Sequence, residues 1–371
     1  MNQRHQHLHS LLPNTVSVTG VMAKVLLALV PAAVSYTWFF GIGFLLNFGL
    51  TLMAGYAFEA LALRARGKPV WFNLQDLSLP VTAALLSFAL PPGSPWWIAV
   101  GGIFIAVIPG KHLFGGLGHN VFNPAALAYV SLLILFPLQM TGWYLPGTGS
   151  FSDSRIDPLS AHGMMTSLQL TFPFLRDLAL TPFPVRPDGF VTATPLIEYK
   201  FAAPARLFLA DSEGFNFWDR SARTGWEMQA IAFAVGGLYL LWQRIISWHI
   251  PLTIIAAVWL LSTLFYQPGQ EAIYGSPWLH LFSTSTLIGA FFIATDPVSS
   301  PSTALAKCIY GLMIGVAIYT IRIWGSYLDS VALAILFMNM FSPLLDHIFR
   351  RTPRGHQGVL ARGLRRWRNS Q

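Results

Sequence analysis

The chain has 371 residues, of which 54% are hydrophobic and only 10% charged, and its formal net charge is +8. Soluble domains carry about a quarter charged residues, so this composition excludes an ordinary soluble enzyme and marks an integral membrane protein. The positive charge does not point to nucleic acid, because the basic residues cluster beside apolar spans, where they report topology.

Residues 1–20 are a polar, His-rich leader in which His5, His7 and His9 alternate. This cytoplasmic leader lacks the basic n-region of a secretory signal, and the apolar run after it is too long for a signal h-region, so that run is expected to be a retained helix. Five apolar stretches follow at roughly 21–42, 44–63, 75–91, 96–113 and 121–140, together a first membrane unit of residues 21–140. Residues 141–225 are polar and Pro-rich, and nine of the fifteen acidic residues fall between Asp153 and Glu227. A second five stretches, at roughly 226–244, 249–266, 278–295, 303–322 and 328–347, make a second membrane unit of residues 226–347. The tail, 348–371, holds seven arginines from Arg350 to Arg368 and no acid. Spans 75–91 and 278–295 are short and polar enough to be broken helices.

The fold class this predicts is an all-α polytopic membrane protein with about ten transmembrane helices. Placing positive charge on the cytoplasmic side puts Arg64, Arg66, Lys68, Lys111, Arg244, Lys307 and the arginine-rich tail inside. Both termini are then cytoplasmic, and 141–225 is an external segment, periplasmic in a Gram-negative cell. Among the short connections only Arg322 falls at an outer end.

The halves echo each other at an offset of roughly 205 to 211 residues. "LPVTAALLSFALPPGSPWW" resembles "STLIGAFFIATDPVSSP", and the stretch through "GGLGHNVFNPAALAYV" resembles the one ending "SYLDSVALAILF". Five spans is an odd number, so the repeats are inverted, an arrangement that places sites where interrupted helices of both halves meet. Interruptions are predicted at 89–93, 116–124 and 294–301, where Pro, Gly, Asn and Asp free backbone groups.

Several motifs have two readings. "GGLGHN" at 115–120 lacks the third glycine of a dinucleotide loop and follows a membrane span. Lys111 and His112 read as a pair snorkelling at the cytoplasmic surface. Asn120 and Asn123 either cap the helix opened by Pro124 or hydrogen-bond a planar polar ring. Asp296, in "ATDP", either ends a helix or coordinates an ion. Cys308 is the sole cysteine, which excludes an intrachain disulfide and a Cys₄ cluster built from this chain alone.

In the external segment, "RPDGFVTATPLIEY" begins with a turn at Asp188-Gly189. Small or β-branched residues follow, and Pro195 keeps Thr194 out of helix. Either this is an exposed loop, or the open Thr194 hydroxyl forms a phosphoester.

The chain resembles the RnfD subunit of the Rnf ion-translocating oxidoreductase complex, a family related to the NqrB subunit of the sodium-pumping NADH:quinone reductase. The resemblance rests on "VLLALVPAA" at 25–33, "GGLGHNVFNPAALAYV" at 115–130, "GAFFIATDPVSSP" at 289–301 and "IRIWGSYLDSVALAILFMN" at 321–339. It implies a urea-transporter-like fold with one periplasmic loop domain, in the bacterial inner membrane. It also implies covalent FMN, held through its phosphate by the threonine of an Asp-Gly-x-Ser-Gly-Ala-Thr-type motif. Asp188, Gly189, Ala193 and Thr194 fit that motif; Val191 and Thr192 replace the usual Ser-Gly. A second, non-covalent flavin, riboflavin, is implied among the helices, and Asn120 and Asn123 are the residues to which it extends here. The implied partners are the A, B, C, E and G subunits of the Rnf complex, membrane lipid and a flavin transferase, with no nucleic acid. The implied function is electron relay between NADH and ferredoxin coupled to Na⁺ or H⁺ movement; the alternative is a small-solute channel of urea-transporter-like architecture.

Overall fold

A computed structural model describes residues 17–116, 118–143, 159–177, 220–267, 274–282, 284–325, 327 and 329–349. Asp188, Gly189 and Thr194, most of the external segment and the arginine-rich tail lie outside these residues.

The described chain is helical. The first unit comprises α1 (Val18–Phe40), α2 (Gly43–Ala65), a short α3 (Val70–Leu74), α4 (Ser78–Ala89), α5 (Trp96–Val107) and α6 (Pro124–Leu135). A π turn, Ile108–His112, extends α5. After α7 (Pro137–Thr141), α8 (Ala161–Thr171) and α9 (Phe174–Asp177) come α10 (Arg220–Trp242), α11 (His249–Leu264), α12 (Pro277–Phe282) and α13 (Thr284–Ile288). A second π turn, Gly289–Ile293, extends α13, and α14 (Ala304–Ile323) and α15 (Val331–Phe349) complete the unit.

Four helices are long and apolar enough to cross a membrane by length and composition: α1, α2, α14 and α15. Their outward faces are apolar: Val34, Met53, Leu61 and Leu312 are exposed, as is Leu260 on the shorter α11. Such surfaces suit lipid rather than water. No strand is assigned among the described residues. Lipid offers backbone groups no partner, which leaves helices as the workable choice for an open chain.

The expected interruptions are non-helical. Residues 90–95, 113–116, 118–123 and 294–303 all lie outside helix, where the sequence supplies Pro, Gly, Asn or Asp. Two expected spans are shorter than drawn from the sequence. The stretch 121–140 is helical only from Pro124 and breaks between Leu135 and Pro137, because proline cannot donate back to the preceding turn. The stretch 278–295 is split among α12, α13 and the π turn.

Helix pairings recur along the chain. In the first unit α1 packs on α4 and α2 on α4 and α5, and in the second α10 packs on α13 and α11 on α12 and α14. Likewise α5 packs on α6 and α14 on α15, while α1 against α10 and α6 against α15 join the units. Glycines make these approaches close. A Cβ on Gly236 would stand 2.0 Å from the Ala28 carbonyl oxygen, and one on Gly315 would stand 2.5 Å from the Ala257 Cβ. Small residues at such crossings let helices gain van der Waals contact where no hydrophobic drive exists.

Candidate functional site

A cleft of about 110 Å³ opens where two of the interruptions, the one before α6 and the one after the second π turn, meet. Its polar wall is formed by Ser78 at the start of α4, Lys111 in the first π turn, Asn120 and Asn123 before α6, and Thr295 and Asp296 after the second π turn. Val25, Leu85, Phe291 and Phe292 supply apolar walls. Both units therefore contribute to a single site.

Asn123 caps α6. Its Oδ1 accepts the backbone N–H groups of Ala125 at 3.0 Å and Ala126 at 3.1 Å, satisfying donors that the first helical turn leaves free. Asn120 does not cap the helix; its Nδ2 donates to the Phe122 carbonyl at 3.0 Å. Both residues are 5% exposed. Among the described residues the Asn123 Nδ2 and the Asn120 Oδ1 take no further partner, so one donor and one acceptor remain beside the cleft.

The depth of Asn123 follows from α15. Asn339 is the ninth of that helix's 19 residues, and its amide oxygen accepts the Asn123 backbone N–H at 3.1 Å. The Asn339 amino group then donates to the Ile335 carbonyl and to the Tyr310 hydroxyl, which fixes the amide's orientation. A 19-residue helix is roughly 28 Å long, close to the hydrocarbon thickness of a bilayer. Asn123 therefore stands level with the middle of a membrane-crossing helix, and the start of α6 presents its positive dipole end there.

Asp296 is half-buried. It accepts the Ser299 hydroxyl at 2.9 Å and the Val298 backbone N–H at 3.5 Å.

Lys111 and His112 are not a snorkelling surface pair. Both are buried, and Lys111 Nζ donates to Glu59 Oε1 at 2.5 Å and to Ser78 Oγ at 2.8 Å. The reason is Glu59, 2% exposed on α2, whose carboxylate offers the ammonium a better partner than the membrane surface does. Sequence reasoning passed over Glu59, although one acid in a 23-residue apolar helix is itself a signal. Arg322, expected at an outer end, is 4% exposed. It donates to the His280 carbonyl at 2.6 Å, to Thr286 Oγ1 at 2.7 Å and to Ser330 Oγ at 2.9 Å. No cluster of three or more His, Cys, Asp or Glu side chains suited to a metal occurs among the described residues.

Comparison with known proteins places these residues in context. Residues 6–355 match the family model described as "NQR2, RnfD, RnfE family". A protein of Cellvibrio japonicus (strain Ueda107), named as the D subunit of an ion-translocating oxidoreductase complex, is 41% identical over 342 residues, covering 91% of each chain. Proteins of the same name from Vibrio atlanticus (strain LGP32) and Pseudomonas aeruginosa (strain UCBPP-PA14) are 39% and 40% identical. They align over 92% and 91% of this chain, and over 97% and 92% of their own.

Proposed function

The chain belongs to the NQR2, RnfD, RnfE family, and we propose that it is the membrane subunit of an ion-translocating oxidoreductase complex that carries electrons on bound flavin. On this reading it spans the bacterial inner membrane with both termini cytoplasmic. It works with the A, B, C, E and G subunits that the resemblance implies, because the described residues include no cysteine set for an iron–sulfur cluster. The recurrence of four intra-unit pairings, with an odd number of spans per unit, supports two inverted five-helix repeats.

The observation that carries the proposal is the Asn120–Asn123 pair beside the cleft. The free Nδ2 of Asn123 suits a ring carbonyl and the free Oδ1 of Asn120 suits an adjacent ring N–H, the alternation found on the imide edge of an isoalloxazine. The volume, about 110 Å³, is below the 300–1,000 Å³ of pockets that enclose a whole ligand. The cleft therefore suits one end of a planar ring rather than all of it. Phe291, Phe292 and Leu85 keep water from that end, while Asn123 is held in place by its own capping bonds. Such a ring supplies one- and two-electron chemistry that no side chain here offers.

Thr194 is assigned covalent FMN through its phosphate, in the motif that starts at Asp188 and Gly189. The fit of Asp188, Gly189, Ala193 and Thr194 supports this, as does the placement of 141–225 outside the membrane by the distribution of Lys and Arg. The test is the intact mass and visible spectrum of the chain purified from complex made beside a functional flavin transferase. A mass increment for one FMN, with flavin absorption retained after denaturation, is the expected result. An unmodified mass and no extractable flavin would overturn the proposal.

A further inference from the structure

Glu59 sits in an unusual position for a purely structural anion. Its Oε1 accepts Lys111 Nζ at 2.5 Å, but its buried Oε2 has no hydrogen-bond partner. The His112 Nε2, 3.6 Å from Glu59 Oε1, is likewise buried without a hydrogen bond. On the opposite side of the ring, His112 Nδ1 lies 3.3 Å from Arg66 Nη1. A guanidinium only donates, so Nδ1 is the acceptor there and the ring proton is on Nε2, facing Glu59. Arg66 is at the exposed end of α2 and also donates to the Gly115 carbonyl at 2.8 Å.

At the other end, Lys111 Nζ donates to Ser78 Oγ at 2.8 Å, and Lys111 and Ser78 both line the cleft. Ser78 Oγ donates in turn to Asp76 Oδ1 at 2.7 Å. A chain of exchangeable groups thus runs from the exposed edge at Arg66 to the polar wall of the cleft, and no gap in it exceeds 3.6 Å. A pair selected only to tie α2 to the π turn would gain by satisfying both carboxylate oxygens. This one leaves open the oxygen and the ring nitrogen that a relay needs.

We propose that His112, Glu59, Lys111 and Ser78 form a proton route from the surface beside Arg66 into the cleft, delivering protons to a ring reduced there. The proposal rests on the cleft being a redox-ligand site. A proton from water arrives at His112 Nδ1 as the Nε2–H bond breaks and its proton passes to Glu59. Lys111 gives one Nζ proton, through the Ser78 hydroxyl, to a basic atom of the reduced ring, and takes the proton back from Glu59. One proton is moved; Glu59, Lys111 and Ser78 return to their starting states, while His112 is left protonated on Nδ1 and is reset by releasing that proton to water and taking one up on Nε2. Arg66 stays charged throughout and, by donating to Nδ1, favours the Nε2–H tautomer to which the ring is reset.

Two measurements on the purified complex test this. In the first, proton uptake on reduction by NADH is followed with a pH-indicator dye in His112→Ala, with bound flavin quantified by acid extraction. Uptake should slow at least tenfold with flavin content unchanged, and added imidazole should restore it by occupying the vacated space. Parental uptake, or a defect that imidazole leaves in place, would refute the route. In the second, dicyclohexylcarbodiimide is added to the unaltered complex and peptides are mapped by mass. Carbodiimide reacts with a protonated carboxyl, so Glu59 should be modified; a permanently ionised Glu59 would stay unmodified and defeat the proposal. The labelling needs no ligand in the cleft. If Asn120 and Asn123 hold no flavin, Glu59 still either reacts or does not, and the two failures are told apart.

Discussion

The Tyr129 hydroxyl donates to Asp329 Oδ2 at 3.0 Å, joining α6 of the first unit to a residue two positions before α15 of the second. The contact has a counterpart. Asn339 on α15 reaches the Asn123 backbone at the start of α6, so each of these two helices holds the other's N-terminus. Asp329 Oδ1 accepts the Val331 N–H at 2.7 Å, the role that Asn123 has for α6. Tyr129→Phe removes one hydrogen bond to a carboxylate at a half-buried site. It should destabilise the protein by about 2 kcal/mol, seen as a lower unfolding temperature in detergent with flavin content retained.

The Glu59–Lys111 pair should behave as a buried ion pair. Lys111→Met strands the buried Glu59 carboxyl without its cation, a change that costs about 3–5 kcal/mol. The double variant Glu59→Gln with Lys111→Met removes the stranded charge and should recover most of that loss. A double-mutant cycle on thermal unfolding reads the coupling directly, and additive losses would show that the pair contributes nothing as a pair.

Asn123 caps α6, and substitution can separate that role from the flavin contact proposed for it. Asn123→Asp keeps an oxygen to cap Ala125 and Ala126 but loses the amino group facing the cleft. Non-covalent flavin should fall several-fold while unfolding temperature changes little. Asn123→Leu loses the cap as well, about 1 kcal/mol, and should lower both. In each variant the covalent flavin proposed at Thr194 should persist. Unchanged flavin in a well-folded Asn123→Asp complex would mean that the side chain only caps.

Thr194→Ala removes the only atom that can bear the phosphoester at that position, so in-gel flavin fluorescence and the added mass should both vanish. Thr194→Ser should retain part of the attachment, since the hydroxyl survives. Thr192→Ala should leave it intact. Peptide mass spectrometry that located FMN on Thr192 would move the assignment by two residues.

Topology is tested with single cysteines at Ser152 and Ser370 in a Cys308→Ala background. An impermeant thiol reagent added to cells with a permeabilised outer membrane should label position 152 and spare 370. The opposite result would reverse the orientation.

The sequence alone determined the all-helical class and the places where the apolar helices break. Each apolar run had to satisfy its own backbone in lipid, and Pro91, Pro124 and Pro297 cannot continue a helix from the preceding turn. Tertiary structure decided which polar groups meet. Lys111 and His112 looked like a surface pair because the partner that buries them, Glu59, lies 52 residues from Lys111 on another helix. Asn120 and Asn123, alike in sequence, differ because only Asn123 stands where its oxygen reaches two free N–H groups. The position of Asn123 at mid-depth came from Asn339, a residue in the other unit. Periodicity and local propensity act over a few residues, so they set elements and breaks. Hydrogen bonds and ion pairs act over about 3 Å in space, and which residues come that close is settled only when the helices pack.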